Sequence, residues 1–231
     1  MELSNMKIRW IGQGGYIIGD GKTELCIDPY LSDAVEKASG KKRLVAPPFS
    51  PDELRSDAVI CTHNHIDHVD PDAISQMTGL RFFAPSDCEK TVRECGVTDY
   101  TPFDEGDRIR IGDFDIEAVY ADHTTKSAIG VLVRHSGVTV YLTGDTFYNE
   151  RLIRDGVDIF IVCINGRLGN MSVEEAIRLT REINPKIAIP SHYGMFAENT
   201  EDPKKFTSRL DNGVELEYNA EYDTEVLLCS I

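Results

Sequence analysis

The sequence predicts an α+β fold in which two facing sheets are covered by helices on their outer sides. Each half of the chain is rich in short strand patterns, and each half then continues into helical patterns. Residues 1–231 contain no low-complexity linker, charge block or repeat that would divide the chain. We therefore expect a single domain over residues 1–231.

The first half opens with three predicted strands, at residues 7–10, 16–18 and 24–28. The second and third are joined across Asp20-Gly21, a dipeptide typical of a type I′ hairpin turn. Asp28-Pro29 ends the third strand, because proline cannot donate to a sheet, and this leaves Asp28 at a strand tip. The three glycines within residues 12–15 fit neither a dinucleotide-binding nor a Walker pattern. We expect them to let the backbone pass close to a neighbouring group.

Beyond an irregular segment at residues 30–50, strand and helix patterns alternate. That segment is long for a connection in a compact domain, so it is a candidate active-site flap or oligomer contact, with a plain surface loop as the alternative. Ser86, followed three residues later by Glu89, predicts a capped helix start. The predicted helices span residues 71–77 and 86–95, and the predicted strands span residues 57–62, 81–84, 108–111, 114–121, 129–134 and 138–143.

The second half repeats this rhythm of strands and helices. Ser172 and Glu175 form a capping-box pattern ahead of a partly apolar face, which predicts a helix that covers a sheet. The predicted helices span residues 173–183 and 203–210, and the predicted strands span residues 159–163, 187–189, 214–218 and 225–228.

Composition and charge narrow the kind of partner. The chain carries 39 acidic and 24 basic residues, and this net charge of −15 disfavours binding to nucleic acid or to an anionic membrane. Residues 1–10 lack the apolar core of a signal peptide, and no run of about 18 apolar residues occurs. The six cysteines show no Cys-x-x-Cys spacing and most lie in apolar runs, so buried free thiols are expected. We therefore expect a cytoplasmic protein acting on a small molecule, with a homo-oligomer left open.

Residues 62–70 concentrate side chains that bind metals. Three of the six histidines, His63, His65 and His68, fall there together with Asp67. The cluster directly follows the predicted strand at residues 57–62, so it lies on a strand-end loop. Imidazoles and a carboxylate suit a divalent ion such as Zn²⁺, with Mn²⁺ and Fe²⁺ as alternatives. A solvated polar turn is the other interpretation.

Three further candidate ligands, His123, Asp145 and His192, each follow a predicted strand. Alone, a strand-end His or Asp is more often a capping or surface group. Together with the first cluster they make two sets of three ligands plus one carboxylate able to bridge, which is the count that a two-metal hydrolytic site needs. His135 lies beside the predicted turn at residues 136–137 and is interpreted as a surface residue.

The order and spacing of these residues resemble the metallo-β-lactamase superfamily of metal-dependent hydrolases. The resemblance rests on the His-x-His-x-Asp-His motif at residues 63–68 and on the strand-end ligands, and it covers nearly the whole chain. It implies a four-layer αββα sandwich of two mixed sheets with the site at one edge. By position it implies one metal held by His63, His65 and His123, a second held by Asp67, His68 and His192, Asp145 as the bridge, and Asp28 behind the ligands to orient them.

Within the superfamily, the chain resembles the L-ascorbate-6-phosphate lactonase group at residues 10–13, at Asp28-Pro29 and at residues 69–70. The connections after Asp28 and around His123 are shorter than in those lactonases. The resemblance implies a hydrolase of a small anionic carbohydrate lactone. Up to two ions, Zn or Mn with Fe less favoured, would generate the attacking hydroxide, and Asp67 and Asp145 would take part in catalysis.

Two loops of the second half are predicted to contact the substrate. Asn165 and Arg167 lie in a Gly- and Asn-rich loop, where the guanidinium suits a phosphate or carboxylate on the substrate. Tyr193, next to His192, is predicted to offer its hydroxyl to the developing oxyanion. The alternatives are that Arg167 pairs with a nearby carboxylate and that Tyr193 packs.

Three other functions stay open from the sequence. A phosphodiesterase or RNA-processing nuclease of the same fold is disfavoured by the acidic charge and by the lack of a basic arm. A mononuclear iron redox enzyme and a non-catalytic metal-binding scaffold are disfavoured by the full set of seven candidate ligands.

Overall fold

A computed structural model describes residues 6–229, and within them thirteen strands and six α-helices occur. The strands are β1 (Lys7–Gly12), β2 (Gly15–Gly19), β3 (Glu24–Ile27), β4 (Ala58–Ile60), β5 (Phe82–Ala84), β6 (Tyr100–Pro102), β7 (Arg108–Ile111), β8 (Phe114–Tyr120), β9 (Ile129–His135), β10 (Val138–Leu142), β11 (Ile159–Cys163), β12 (Ile187–Ser191) and β13 (Glu221–Asp223). The helices are α1 (Ala34–Ser39), α2 (Pro71–Ile74), α3 (Glu89–Glu94), α4 (Val173–Ile183), α5 (Lys204–Thr207) and α6 (Thr224–Cys229).

The strands form two mixed sheets. The seven-stranded sheet has the order β13-β1-β2-β3-β4-β5-β6, with antiparallel pairs up to β3 and parallel pairs from β3 to β6. The six-stranded sheet has the order β12-β11-β10-β9-β8-β7, in which β10, β11 and β12 are parallel and the remaining pairs are antiparallel. The predicted architecture of two mixed sheets with helices outside is confirmed.

Alternating side chains of the buried strands fill two separate apolar layers. In β4, Ala58 and Ile60 join the large core cluster that contains residues of both sheets, while Val59 joins a second cluster. That second cluster also contains Ile74 of α2 and Val92 of α3, so it lies between the first sheet and its helices. A sheet covered on both faces needs apolar residues at consecutive positions, which explains the short, uniformly apolar strands.

Helix α4 covers the second sheet and begins as predicted. The Ser172 hydroxyl accepts from the Glu175 N–H, and the Glu175 carboxylate accepts from the Ser172 N–H at 2.9 Å. Its buried face contributes Ala176, Leu179 and Ile183 to the core that contains strands of this sheet. The capping box and the apolar face both lie in adjacent sequence, so this helix was predictable from the chain alone.

The C-terminal part of the chain differs from the prediction. Residues 214–218 are irregular, and residues 225–228 lie in α6 instead of a strand. The strand that pairs with β1 is β13, which lies just before α6 in sequence. At the start of α6, Asp223 Oδ1 accepts the Glu225 N–H at 2.9 Å. A short apolar run has too few residues for its periodicity to separate helix from strand.

One predicted turn and one predicted helix cap are also corrected. The connection after β2 is a four-residue loop at residues 20–23, in which Asp20 Oδ1 accepts the N–H groups of Lys22 and Thr23 at 2.8 and 2.7 Å. Ser86 does not cap a helix, because its side chain bonds Asp104 and a short 3₁₀ turn precedes α3. In each case a polar side chain forms hydrogen bonds that the sequence pattern did not indicate.

His135 is not a surface residue. Only 8 % of it is exposed, and its ring stacks on Phe114 at a centroid distance of 4.5 Å.

Four of the cysteines, at positions 26, 61, 88 and 163, are buried free thiols as predicted. None of the helices within residues 6–229 combines the length and apolar character needed to cross a membrane. The single-domain organisation and the cytoplasmic location stay predictions.

Candidate metal centre

The predicted ligands meet because the strands that precede them end at one edge of the sandwich. Strands β3 and β4 are parallel neighbours, and they lead to Asp28 and to the histidine motif at residues 63–68. In the other sheet, β8, β10 and β12 run in one direction and lead to His123, Asp145 and His192. The fold therefore brings groups that are far apart in sequence to the same place.

Three imidazoles converge at the first position, which we call the three-histidine set (His63, His65 and His123). His65 Nδ1 lies 3.0 Å from His63 Nε2 and 3.1 Å from His123 Nε2. Ligand atoms around a tetrahedral zinc with bonds of about 2.0–2.1 Å lie roughly 3.3 Å apart. The spacing of these nitrogens therefore fits one shared divalent ion.

The outer nitrogens of this set are fixed by uncharged oxygens. The Thr62 hydroxyl donates to Asp28 Oδ2 at 2.7 Å, so its oxygen can accept from His63 Nδ1 at 3.0 Å. His123 Nδ1 donates to the Gly169 carbonyl at 3.1 Å. These bonds place the protons on the outer nitrogens and leave the inner Nε2 lone pairs for a metal.

A second position is formed by Asp67, His68 and His192, which we call the mixed set; one ligand atom from each lies within 4.8 Å of the others. His68 Nδ1 donates to Asp28 Oδ2 at 2.8 Å, and His68 Nε2 is buried without a hydrogen-bond partner. Burying a nitrogen that has no partner in the protein is unfavourable unless a bound ion or molecule supplies one. A divalent ion bound by this nitrogen and the neighbouring carboxylate fits that requirement.

Asp145 lies between the two sets. Its Oδ1 is 3.5 Å from His68 Nε2, and its Oδ2 is 3.0 Å from His192 Nε2 and 3.9 Å from His123 Nε2. Asn170 Nδ2 donates to Asp145 Oδ2 at 2.8 Å and fixes the carboxylate. One carboxylate that faces both sets is the arrangement that a bridging ligand requires.

The two sets differ in the pKa of their imidazoles. Burial lowers the pKa of all three members of the three-histidine set, and most strongly that of His63. Burial also opposes the charged form of His192, but Asp145 and Asp67 outweigh it and raise the pKa of His192 to about 9. Burial is likewise outweighed at His68, whose pKa is raised well above its ordinary value by Asp28, Asp145 and Asp67. The mixed set therefore lies in a strongly negative local field.

Two glycines allow the backbone to approach these ligands. A Cβ on Gly14 would lie 2.9 Å from His68 Cε1, and one on Gly169 would lie 2.7 Å from His123 Nδ1. Gly169 also has a φ of +97°, a conformation that side chains other than glycine rarely adopt. The glycines at residues 12–15 were predicted to let the backbone pass close to a neighbouring group, and for Gly14 that group is the His68 ring.

A cleft of about 370 Å³ opens beside the candidate ligands, and His65, Asp67, Asp145 and His192 form part of its lining. This volume is within the range of sites that bind small molecules. The remaining lining comes from the segment around α1 and from residues 66, 124, 168, 196 and 199. The segment at residues 30–50 thus contributes α1 and Lys41 to the wall of the cleft.

The predicted substrate residues are placed less uniformly. Asn165 is buried, and it accepts from Asn170 at 2.9 Å, so it lies behind the residue that holds Asp145. Arg167 Nη1 donates to the Glu198 carbonyl at 3.2 Å, and Arg167 lines a different cleft from the one beside the ligands. Tyr193 packs on Trp10 at a ring distance of 4.8 Å within the main core. These are the contacts of a packing residue, and the oxyanion role of Tyr193 stays a prediction.

Sequence reasoning missed Gln13 and Asn170. Gln13 is fully buried, and its Nε2 donates to Asp67 Oδ2 at 2.8 Å and lies 3.0 Å from His192 Nε2. Both residues are neutral amides in glycine-rich loops. The density of glycine around them was the available signal, since it marks backbone that passes close to another group.

Comparisons with known proteins identify the family of the chain. A family model described as the beta-lactamase superfamily domain matches residues 23–193. A UPF0173 protein of Pyrococcus furiosus is 30% identical over 209 residues, covering 89% of this chain and 90% of its own. A UPF0173 metal-dependent hydrolase of Methanosarcina mazei is 25% identical over 99% of this chain and 97% of its own.

Among solved structures, Igni18, a metallo hydrolase from the archaeon Ignicoccus hospitalis, superposes with a TM-score of 0.74. It is 20% identical, and the match covers 94% of this chain and 97% of that one. This likeness shows the shared fold. With the family match and the converging ligand sets, the chain belongs to the metallo-β-lactamase superfamily and is a metal-dependent hydrolase.

Proposed function

We propose that this hydrolase opens a small lactone that carries a negative charge, using a pair of divalent ions, zinc or manganese, held by the two ligand sets. The observation that supports the proposal is the position of Asp145, whose oxygens face His123, His68 and His192 at 3.9, 3.5 and 3.0 Å. The cleft beside it, of about 370 Å³, suits a small molecule better than a polymer.

When bound, divalent ions would lower the pKa of a water, which would supply a nucleophile at neutral pH, and would polarise the carbonyl under attack. The chain supplies orientation. Thr62 and Gly169 fix the rings of His63 and His123, and Asp28 fixes His68, so that each inner nitrogen faces the site.

Asp67 is the residue that we propose for proton movement. It lines the cleft, and Gln13 Nε2 donates to its Oδ2 at 2.8 Å. Burial would raise the pKa of this carboxyl, but His68 and His192 outweigh burial and lower it well below its usual range. Asp67 is therefore ionised at neutral pH, which is the form that can accept a proton, and it would hold that proton only transiently before the leaving oxygen takes it.

The other functions considered from the sequence have less support. A nucleic acid substrate would be repelled by the net charge of −15. Among residues 6–229, Lys41 is the single lysine or arginine that lines the cleft. A mononuclear redox site would leave the second ligand set without a role. Carbohydrate as the body of the lactone stays a prediction from the family resemblance.

The test is a substrate screen with the purified chain loaded with zinc or manganese. We expect hydrolysis of at least one lactone in a panel of lactones, simple esters and phosphodiesters, loss of turnover on chelation and recovery on adding metal. Turnover that persists after chelation, with metal loss verified by mass spectrometry, would contradict the mechanism. Turnover confined to phosphodiesters would assign the nuclease function instead.

A further inference from the structure

The walls of the cleft are mainly apolar. Val35, Ile66, Leu168 and Phe196 line it together with the candidate ligands, and Ser39, Thr124 and Asn199 add polar groups. A sugar presents hydroxyl groups all around its ring, and burying those that face the apolar part of the walls, where they find no hydrogen-bond partner, is unfavourable. A substrate that fits this cleft therefore has an apolar surface of its own.

Leu168 is the most exposed part of these walls, and its position is tied to a metal ligand. It is 64% exposed and has a φ of +53°, a backbone conformation that is uncommon for leucine. The next residue, Gly169, accepts the hydrogen bond from His123 Nδ1 at 3.1 Å. A large apolar side chain is thus held over the cleft by the same loop that orients His123.

Lys41 gives the cleft a positive charge. It is the single lysine or arginine among the described residues that line the cleft. None of the carboxylates in residues 6–229 lies within 4.0 Å of its ammonium, whereas the neighbouring Lys42 pairs with Glu36 at 3.6 Å. In a chain with a net charge of −15, an unpaired lysine beside the metal ligands is available to a negatively charged ligand.

We propose that the substrate carries an anionic group that pairs with Lys41 and an apolar body that packs against Leu168 and Phe196. This inference rests on the proposed lactonase function and specifies its substrate class. It also moves anion recognition from Arg167, which lines another cleft and bonds the Glu198 carbonyl, to Lys41.

Three lactones of equal length test the proposal. The first carries a short alkyl side chain ending in a carboxylate, the second ends in a primary amide, and the third replaces the alkyl chain with an ethylene glycol chain ending in a carboxylate. Wild-type protein should prefer the first in kcat/KM. Equal kcat/KM for all three would overturn the proposal.

Variants assign the two contacts. Lys41→Ala should raise KM for the carboxylate-ended alkyl lactone roughly tenfold or more and leave the amide-ended lactone nearly unchanged. Lys42→Ala, at an exposed neighbour that pairs with Glu36, should change neither. A loss of equal size on charged and neutral lactones would overturn the role of Lys41.

The apolar contact has its own matched pair. Leu168→Ala should lower kcat/KM for the carboxylate-ended alkyl lactone about fourfold or more and leave kcat/KM for the ethylene glycol lactone unchanged. Leu44→Ala is the control, because Leu44 is 56% exposed and does not line the cleft. Equal losses on both lactones would show that Leu168 supports the His123 loop and does not contact substrate.

Calorimetric binding of the ring-opened hydroxy acids separates this inference from the proposed function, because it requires no turnover. If none of the lactones is hydrolysed, the proposed function fails, and the same comparisons made on binding still decide the inference. Weaker binding of the carboxylate-ended alkyl acid to Lys41→Ala, but not to Lys42→Ala, supports it. Absence of binding to the wild-type protein at millimolar probe overturns it.

Discussion

The three-histidine set and the mixed set use similar side chains in opposite electrostatic settings. In the first, neutral oxygens of Thr62 and Gly169 fix the rings, and burial lowers the pKa of each imidazole. In the second, carboxylates surround the rings and raise the pKa of His68 and His192 despite their burial. The three-histidine set is thus oriented by neutral hydrogen-bond acceptors, whereas the mixed set is surrounded by negative charge.

This difference identifies which groups each set depends on. The three-histidine set has no negative charge of its own and shares that of Asp145, while the mixed set adds Asp67 and is supported from behind by Asp28. A substitution at Asp145 should therefore affect both sets. Substitutions at Asp28 and Gly169 should each affect mainly one, and they can break or sharpen the comparison.

The largest effect is expected for Asp145→Asn. Removing the shared charge should lower hydrolytic activity about a hundredfold or more and reduce the metal content of both sets. The exposed Asp155→Asn is the matched control and should behave as wild type. Metal content is measured by mass spectrometry on the purified proteins. If Asp145→Asn kept both ions and full activity, the proposed role of Asp145 as a shared ligand would be wrong.

Asp28→Asn should act on the mixed set. Asp28 accepts from His68 Nδ1 at 2.8 Å and from the Thr62 N–H and hydroxyl at 2.7 Å, and its φ of +46° is one that asparagine tolerates. We expect metal affinity of this set to fall roughly 10–100-fold. Chelator competition measures it, with the exposed Asp33→Asn as control. An equal loss at both sets would show that Asp28 supports the whole edge through Thr62.

Gly169→Ala should act on the three-histidine set. Both it and Gly156→Ala place a side chain at a positive φ, +97° and +73°, which costs about 1–2 kcal/mol of unfolding free energy. Only Gly169→Ala also places a Cβ 2.7 Å from His123 Nδ1, whereas Gly156 has no atom within 4 Å of that position. Metal affinity of this set should fall about tenfold in Gly169→Ala alone. Equal metal affinity in the two variants would refute the contact.

The smallest effect on metal binding is expected for His135→Ala. His135 stacks on Phe114 and lies outside both sets, so its loss should leave metal content and affinity unchanged. Because the ring is buried, the free energy of unfolding should fall by roughly 1–3 kcal/mol, measured by denaturant titration. A drop in metal content in the folded variant would place His135 within the site.

The sequence by itself determined the elements whose signals are local. The run His63-x-His65-x-Asp67-His68 lies within six residues, and the capping box and apolar face of α4 lie within one helix. The ligands after β8, β10 and β12 were predicted because each follows a recognisable strand. Periodicity, caps and strand-end polar residues are properties of neighbouring residues, so they can be recognised without coordinates.

Only the tertiary structure decided the groups whose roles depend on distance across the molecule. Gln13 contacts Asp67 over 54 positions of sequence, and Asn170 contacts Asp145 over 25. The glycines beside these amides indicate a close approach of the backbone, but they do not indicate which residue is approached. Lys41 lines the ligand cleft while Arg167 lines another, although the sequence favoured Arg167. Hydrogen bonds and charge pairing act over a few ångströms in space, so the packing of the two sheets determines which side chains they join.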